Sequence, residues 1–183
     1  MEPQVPIEAR PFIELLEAAP DAMVVVQGDG RIVFANKQTL ALFGYAPHEL
    51  VDQPVEVLVP ERLRRRHRGH RTSYFAEPGV RPMGVGIELY GLRKDGIEFP
   101  IEISLAPVEV QGENQVLAAI RDVGERKRAE DRFRGLLESA PDAMVIVGDD
   151  GCIQLVNRQT EQLFGYERDD LLGQPVEVLG PER

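Results

Sequence analysis

The chain contains one stretch of sequence twice. Residues 12–62 and residues 133–183 share the patterns APDAMV, LFGY, PVEVL and PER in the same order. They align without a gap and are identical at roughly 31 of about 51 positions, so they form an internal repeat. Their offset of about 121 residues has the size of a domain and not of a solenoid unit. The sequence therefore predicts one complete domain, a connector and the opening part of a second copy.

The composition is that of a globular chain, with 43% hydrophobic and 28% charged residues. No apolar run approaches the length that crosses a bilayer, and the start MEPQVPIEAR lacks the basic and apolar regions of a signal peptide. We therefore expect no membrane contact in this segment and a cytoplasmic location.

The net charge of -10 argues against a surface that binds nucleic acid, because phosphate attraction requires a basic footprint. The local exception is Glu61–Arg71, which holds six arginines and two histidines. The solvated face of a helix is the favoured interpretation of this run, and a site for an anionic partner is the alternative.

Residue types that carry chemistry are sparse. The single cysteine, Cys152, excludes an internal disulfide framework and a multi-thiolate metal site. No nucleophile stands beside a base, no glycine-rich phosphate loop occurs, and no histidine and carboxylate cluster has metal-ligand spacing. These patterns predict a binding module and not an enzyme. We expect an output domain, such as a histidine kinase, a cyclase or a regulator domain, to be fused beyond Arg183.

The first domain is predicted to run from two strands through several short helices to three antiparallel strands. A helix begins near Pro11, and a hairpin follows at residues 23–35. Strand patterns resume at Gly86 and include IEFPIEISL, which alternates apolar and polar residues. We expect this strand to be locally irregular at Pro100, because proline lacks an amide hydrogen.

The composition turns polar at Asp122. Beyond it, apolar residues are spaced as in a heptad seam over about two heptads. These residues are Ala129, Phe133, Leu136 and Ala140. The predicted organisation is a tail at 1–11, the first domain at 12–121, a linker helix at 122–132 whose pattern extends to about residue 140, and the partial second domain at 133–183. The seam predicts a homodimer through the terminal and linker helices.

Three separated motifs carry a family resemblance. They are APDAMVVVQGDGRIVFANKQTLALFGY, GIELYGLRKDGIEFPIEISLAP and AAIRDVGERKRAE. In this order they resemble the PAS domains called S-box in bacterial signalling proteins, fully over Phe12–Glu130 and partially from Phe133 onward. The resemblance implies an α+β fold, in which a five-stranded antiparallel sheet has short helices on one face. Family members sense a ligand, light or redox state in the cleft between sheet and helices, or only dimerise.

The resemblance also limits the cofactors. Light-sensing flavin members need a cysteine in the helical region, which the complete domain lacks; non-covalent flavin remains a weaker alternative. Oxygen-sensing haem members place an iron-ligating histidine on the long helix, and alignment brings His67 to that position. The arginine that holds oxygen in those sensors is replaced here by Ile87. The favoured interpretation is that His67 and His70 belong to a basic, solvent-facing helix, and haem ligation is the alternative.

Other candidate site residues have two interpretations each. Asn36 could contact a ligand, but capping of the following helix is favoured. Met83 and Tyr90 could line the cleft with Ile87, or simply fill it.

The predicted function is a sensory and dimerisation module of a bacterial signal-transduction protein, such as a two-component sensor kinase. A small ligand of unknown identity would bind in the cleft. Asp122, Glu125 and Arg126 would relay its presence into the linker helix. The alternatives are a ligand-free interaction domain and a haem gas sensor through His67.

The second copy contains only two predicted strands, which cannot form a stable sheet alone. We expect residues 133–183 to be poorly ordered, or to pack on another chain or on the first domain by strand exchange.

Overall fold

The computed structural model describes residues 10–83, 88–110 and 112–180, without the side chains of residues 10, 11 and 81–83. The chain divides into two compact units, residues 1–124 and residues 125–183. Within the described ranges, no helix combines the length and apolar character that a membrane span requires.

The first unit follows the predicted order of strands and helices. In chain order its elements are α1 (Arg10–Ala18), β1 (Ala22–Gln27), β2 (Ile32–Ala35), α2 (Lys37–Phe43), α3 (Pro47–Leu50), a 3₁₀-helix (Val55–Leu58), α4 (Glu61–Ala76), β3 (Arg81–Met83), β4 (Leu89–Leu92), β5 (Glu98–Val110) and β6 (Glu113–Asp122).

These strands form one antiparallel sheet in the order β2-β1-β6-β5-β3, and β4 also pairs with β5. Met83 pairs with Ile103, and Leu89 pairs with Ile101. Because β3 and β4 lie along the same edge of β5, they are two segments of one edge strand. The predicted five-stranded antiparallel sheet is therefore confirmed.

The core lies between one face of this sheet and the short helices. Phe43 of α2, Leu50 of α3 and Leu58 of the 3₁₀-helix are buried in one cluster with the strand residues Val24 and Ile101. Apolar residues alternate along β5, so only one side of the strand faces this cluster. The helices thus cover one face of the sheet, as the α+β prediction requires.

Two details of the sheet differ from the sequence predictions. β3 was not predicted, because its RPM sequence has no alternation; its strand geometry comes from pairing with the middle of β5. The predicted irregularity at Pro100 is wrong, since the pairing register of β4 on β5 continues through it. The carbonyl of Pro100 also accepts a hydrogen bond from the Val123 amide at 3.1 Å.

The second unit repeats the opening of the first. Its elements are α5 (Gly124–Ser139), β7 (Val145–Val147), β8 (Ile153–Val156), α6 (Arg158–Phe164), α7 (Arg168–Leu171) and a 3₁₀-helix (Val176–Leu179). Strands β7 and β8 form a two-stranded sheet among the described residues, over a small core that includes Ile153, Val156 and Leu171. These regular elements do not match the expectation of a poorly ordered segment. Strand exchange stays a prediction.

The Asn36 side chain connects three elements of the first unit. Its Oδ1 accepts hydrogen bonds from the Met23 amide at 2.9 Å, the Thr39 amide at 3.0 Å and the Thr39 hydroxyl at 2.9 Å. Its Nδ2 donates to the carbonyls of Leu16 and Asp21, both at 3.0 Å. Asn36 therefore caps α2 and ties it to the end of α1 and the start of β1.

The second copy contains the same arrangement around Asn157, which is also fully buried. Its five partner groups are the amide of Met144, the amide and hydroxyl of Thr160, and the carbonyls of Leu137 and Asp142. Because the network recurs beside a sheet of only two described strands, it depends on local sequence and not on the completed sheet.

We expect Asn36→Ala to lower the free energy of unfolding of the first domain by about 3 kcal/mol, because several buried backbone groups lose their partner at once. Urea denaturation followed by circular dichroism measures this change. The control is Asn114→Ala, at an exposed position of β6. Its effect should stay within about 0.5 kcal/mol. Equal effects of the two substitutions would contradict the role assigned to the Asn36 network.

Candidate functional site

A cavity of about 310 Å³ lies between the sheet and helix α4. Its lining on the sheet side is apolar and includes Val24, Ile103 and Ala118. Its volume falls at the lower end of the range of small-ligand pockets, and an apolar lining with a few polar groups is typical of such pockets. The side chains that the structure describes therefore do not fill this cleft.

Helix α4 presents one face to this cavity. The lining residues recur at the spacing of a helix face. They are Leu63, Arg66, His67, His70, Arg71, Tyr74 and Phe75. Arg62, Arg65 and Arg68, which do not line the cavity, are exposed, and so are the lining residues Arg66 and His70. One side of α4 thus brings two arginines and two histidines to the cavity, and the interpretation of a solvated helix holds for the exposed residues of both sides.

A buried carboxylate lies beneath this helix face. The Glu56 side chain is only 3% exposed, and its Oε1 lies 3.1 Å from Nδ1 of His67. Nε of Arg71 lies 3.3 Å from the same oxygen, in an ion pair whose geometry does not make a hydrogen bond. A buried carboxylate requires such partners, so Glu56 holds α4 against the 3₁₀-helix.

The sequence predictions missed both Glu56 and the special position of Arg71. One signal was available, since Glu56 is a single acid inside the apolar segment PVEVLVP, directly before a basic helix. The equivalent Glu177 of the second copy is exposed. The same local sequence therefore does not determine burial of the carboxylate, and α4 decides it.

The predicted site residues have different positions in the structure. His67 and Tyr90 line the cavity, and the Tyr90 hydroxyl donates to Oε2 of Glu88 at 2.9 Å. Asn36 has no exposed surface, and both its donors and its acceptor are already engaged, so no atom of its amide is left for a ligand. Ile87 and the side chain of Met83 lie outside the described residues.

Asp122 stands where β6 leads into α5. Its Oδ1 accepts a hydrogen bond from the Gly124 amide at 2.7 Å, and its Oδ2 accepts one from Nη2 of Arg93 at 3.0 Å. The Arg93 guanidinium lies 4.4 Å from the ring centre of Phe99. The Phe99 ring makes an edge contact with the Phe43 ring, and the two ring centres are 5.4 Å apart. Because Phe43 lines the cavity, these contacts connect the cavity wall to Asp122.

The other two predicted relay residues lie on the surface of α5. Glu125 is exposed, and Nε of Arg126 is 3.9 Å from Oε1 of Glu130, one helical turn further on. Exposed pairs of this kind contribute little to stability. Of the three predicted relay residues, Asp122 has the contacts that link it to the cavity wall.

Comparison with known families gives two matches. A family model described as PAS domain matches residues 20–125, and one described as PAS fold matches residues 131–182. The two matches follow the internal repeat.

Several known proteins are similar to this chain. Sensor protein FixL of Bradyrhizobium diazoefficiens is 31% identical over 122 residues, which are 67% of this chain and 24% of that protein. Oxygen sensor protein DosP of Escherichia coli is 26% identical over 171 residues, which are 92% of this chain and 21% of that protein. The chain thus spans less than a quarter of either relative.

Among solved structures, the PAS domain of a protein from Colwellia psychrerythraea is similar in fold. Its TM-score is 0.55 at 24% identity, and the match covers 65% of this chain and 99% of that domain. At this identity the likeness concerns the fold alone.

Proposed function

Because this chain belongs to the PAS family, we propose that it is a sensory module that binds a small ligand in the cleft between the sheet and α4. The observation that carries this proposal is the cavity of about 310 Å³, which is apolar on the sheet side and has arginine and histidine side chains on the helix side. Relatives described as sensor proteins support it. The ligand's apolar body would lie on the sheet, and its polar groups would meet α4.

Ligand extraction from the purified protein, followed by mass spectrometry, tests this proposal. We expect one small molecule per chain from the wild type and none from Ala118→Phe, because the larger side chain fills the cavity from the sheet. The matched control is Ser104→Phe, which adds the same ring at an exposed position of β5. This control should retain the ligand.

The competing proposal is an interaction domain that binds no ligand and only sets dimer geometry. It predicts that no small molecule is extracted from any of the three proteins. It also predicts that Ala118→Phe leaves the output of the full-length protein unchanged. Either result would contradict ligand sensing in this cleft.

The proposed relay begins at the cavity wall. A ligand that displaces Phe43 would move Phe99 and the Arg93 guanidinium that packs on it. Arg93 pairs with Asp122, and Asp122 bonds the first amide of α5. Occupancy would thereby bias the orientation of this helix through a short series of direct contacts.

A second candidate function is haem-based gas sensing through His67. The observation that favours it is the contact of Nδ1 with Glu56. Metal-bound histidines commonly donate their second nitrogen to a carboxylate, which here would leave Nε2 for the iron. His67 lines the cavity, so the donor type and its support fit the group. Haem would supply a reversible gas-binding site, and the residues of this chain would position and enclose it.

We expect His67→Ala to abolish the Soret absorption band that appears when haem is added to the wild-type protein. His70→Ala is the matched control, because His70 also lines the cavity but is hydrogen-bonded to Arg66 and not to a carboxylate. A band that persists in His67→Ala, or one that disappears equally in both variants, would contradict iron ligation by His67.

We also propose that the chain forms a homodimer through its linker helix. Along the predicted seam of α5, Phe133 is 52% and Leu136 is 71% exposed. The equivalent position of α1, Leu15, is 70% exposed. Large apolar side chains exposed at heptad spacing are typical of helices that pair with a second copy.

Leu136→Glu should convert the dimer into a monomer, because a carboxylate at the seam would have to be buried without a partner. Sedimentation velocity over a concentration series measures this. Arg134→Glu introduces the same residue outside the seam and should leave the dimer intact. A dimer that persists in Leu136→Glu would show that another surface mediates the association.

A further inference from the structure

Arg71 has an unusual position among the residues that line the cavity. Its side chain is 18% exposed, and its buried Nε makes no hydrogen bond. Among the described residues, no group accepts a hydrogen bond from its guanidinium, and Glu56 contacts it only as an ion pair at 3.3 Å. A guanidinium carries five donors, and a buried donor without a hydrogen bond, as Nε is here, is costly.

The turn between β1 and β2 makes room for this guanidinium. A Cβ atom built on Gly30 would lie 1.7 Å from Nη1 of Arg71, so a side chain at this position would displace the guanidinium. Gly30 also has a φ of +92°, a conformation that favours glycine. The planar group thus lies between the backbone of this turn and Glu56, at the wall of the cavity.

We propose that the cleft takes an amphipathic carboxylic acid, whose carboxylate binds the guanidinium of Arg71 and whose apolar body lies on the sheet. Arginine and carboxylate form charge-assisted pairs with two parallel hydrogen bonds, which supplies the acceptors that Arg71 otherwise lacks. The apolar wall formed by Ile103, Leu105 and Val116 accommodates the remainder of the ligand. This inference rests on the proposed ligand-binding function and adds the chemical class of the ligand.

The other charges around the cavity are compatible with an anion. Arg66 lines the same wall, and its Nε donates to Nε2 of His70 at 3.1 Å. Two carboxylates are close: Glu56 is paired with His67 and Arg71, and Glu88 accepts a hydrogen bond from Tyr90. The anionic groups therefore have their own partners, and the guanidinium of Arg71 keeps free donors for a ligand.

Isothermal titration calorimetry with matched probes tests this inference. The first pair is octanoate and octan-1-ol, and the second is 3-phenylpropionate and 3-phenylpropan-1-ol. The members of each pair share an apolar body and differ in the carboxylate. We expect at least one acid to bind about 10- to 100-fold more tightly than its alcohol, the range that charged hydrogen bonds give. The better acid shows whether the cavity selects a straight or an aromatic body.

Arg71→Gln should remove this preference while the alcohol binds as before, and alcohol binding also reports that the variant is folded. Arg71→Lys retains the charge without the planar fork and should keep part of the preference. The control is Arg65→Gln, which removes the same charge from an exposed position of α4 and should have no effect.

Three results would overturn the inference. They are equal affinity of the wild type for acid and alcohol, an unchanged preference in Arg71→Gln, and failure of the wild type to bind either acid. The proposed function is tested separately, because a molecule that is extracted from the wild type and absent from Ala118→Phe supports ligand sensing even when it is not an acid.

Discussion

The buried amide of Asn36 is the interaction on which the rest of the domain depends. Its oxygen accepts three hydrogen bonds and its nitrogen donates two, so one side chain fixes the end of α1, the start of β1 and the first turn of α2. With these elements fixed, Phe43 of α2 is held over the sheet. The equivalent Asn157 makes the same bonds in the second copy, which shows that the arrangement is determined by local sequence.

The cleft depends on a different kind of contact. Helix α4 is rich in arginine and histidine, and a buried carboxylate at Glu56 meets His67 and Arg71 from beneath it. A fully apolar helix would pack closely on the apolar sheet, whereas an inner face with charged side chains is compatible with an open cleft. In the proposed function, stability and ligand binding would thus use the same residues in this part of the fold.

The local patterns predicted much of the fold and less of the site. The repeat is visible by direct comparison of the sequence with itself. The β1–β2 hairpin and the capping by Asn36 follow from turn and cap residues that act over a few positions. The strand at Arg81–Met83 and the regular pairing at Pro100 were missed, because both are decided by pairing with β5. Burial of Glu56 was missed because it depends on contact with another element, helix α4. The sequence showed the basic run of α4 without showing which of its residues face the sheet.

In the proposed mechanism, occupancy of the cleft changes the start of the linker helix. Hydrogen–deuterium exchange tests it most directly, by comparing the protein as purified with the same protein after its bound small molecule is removed by unfolding and refolding. We expect exchange to differ both in β5 and β6 and at the amides that follow Asp122. A difference confined to the sheet, with unchanged exchange at the first turn of α5, would contradict the proposed coupling through Arg93.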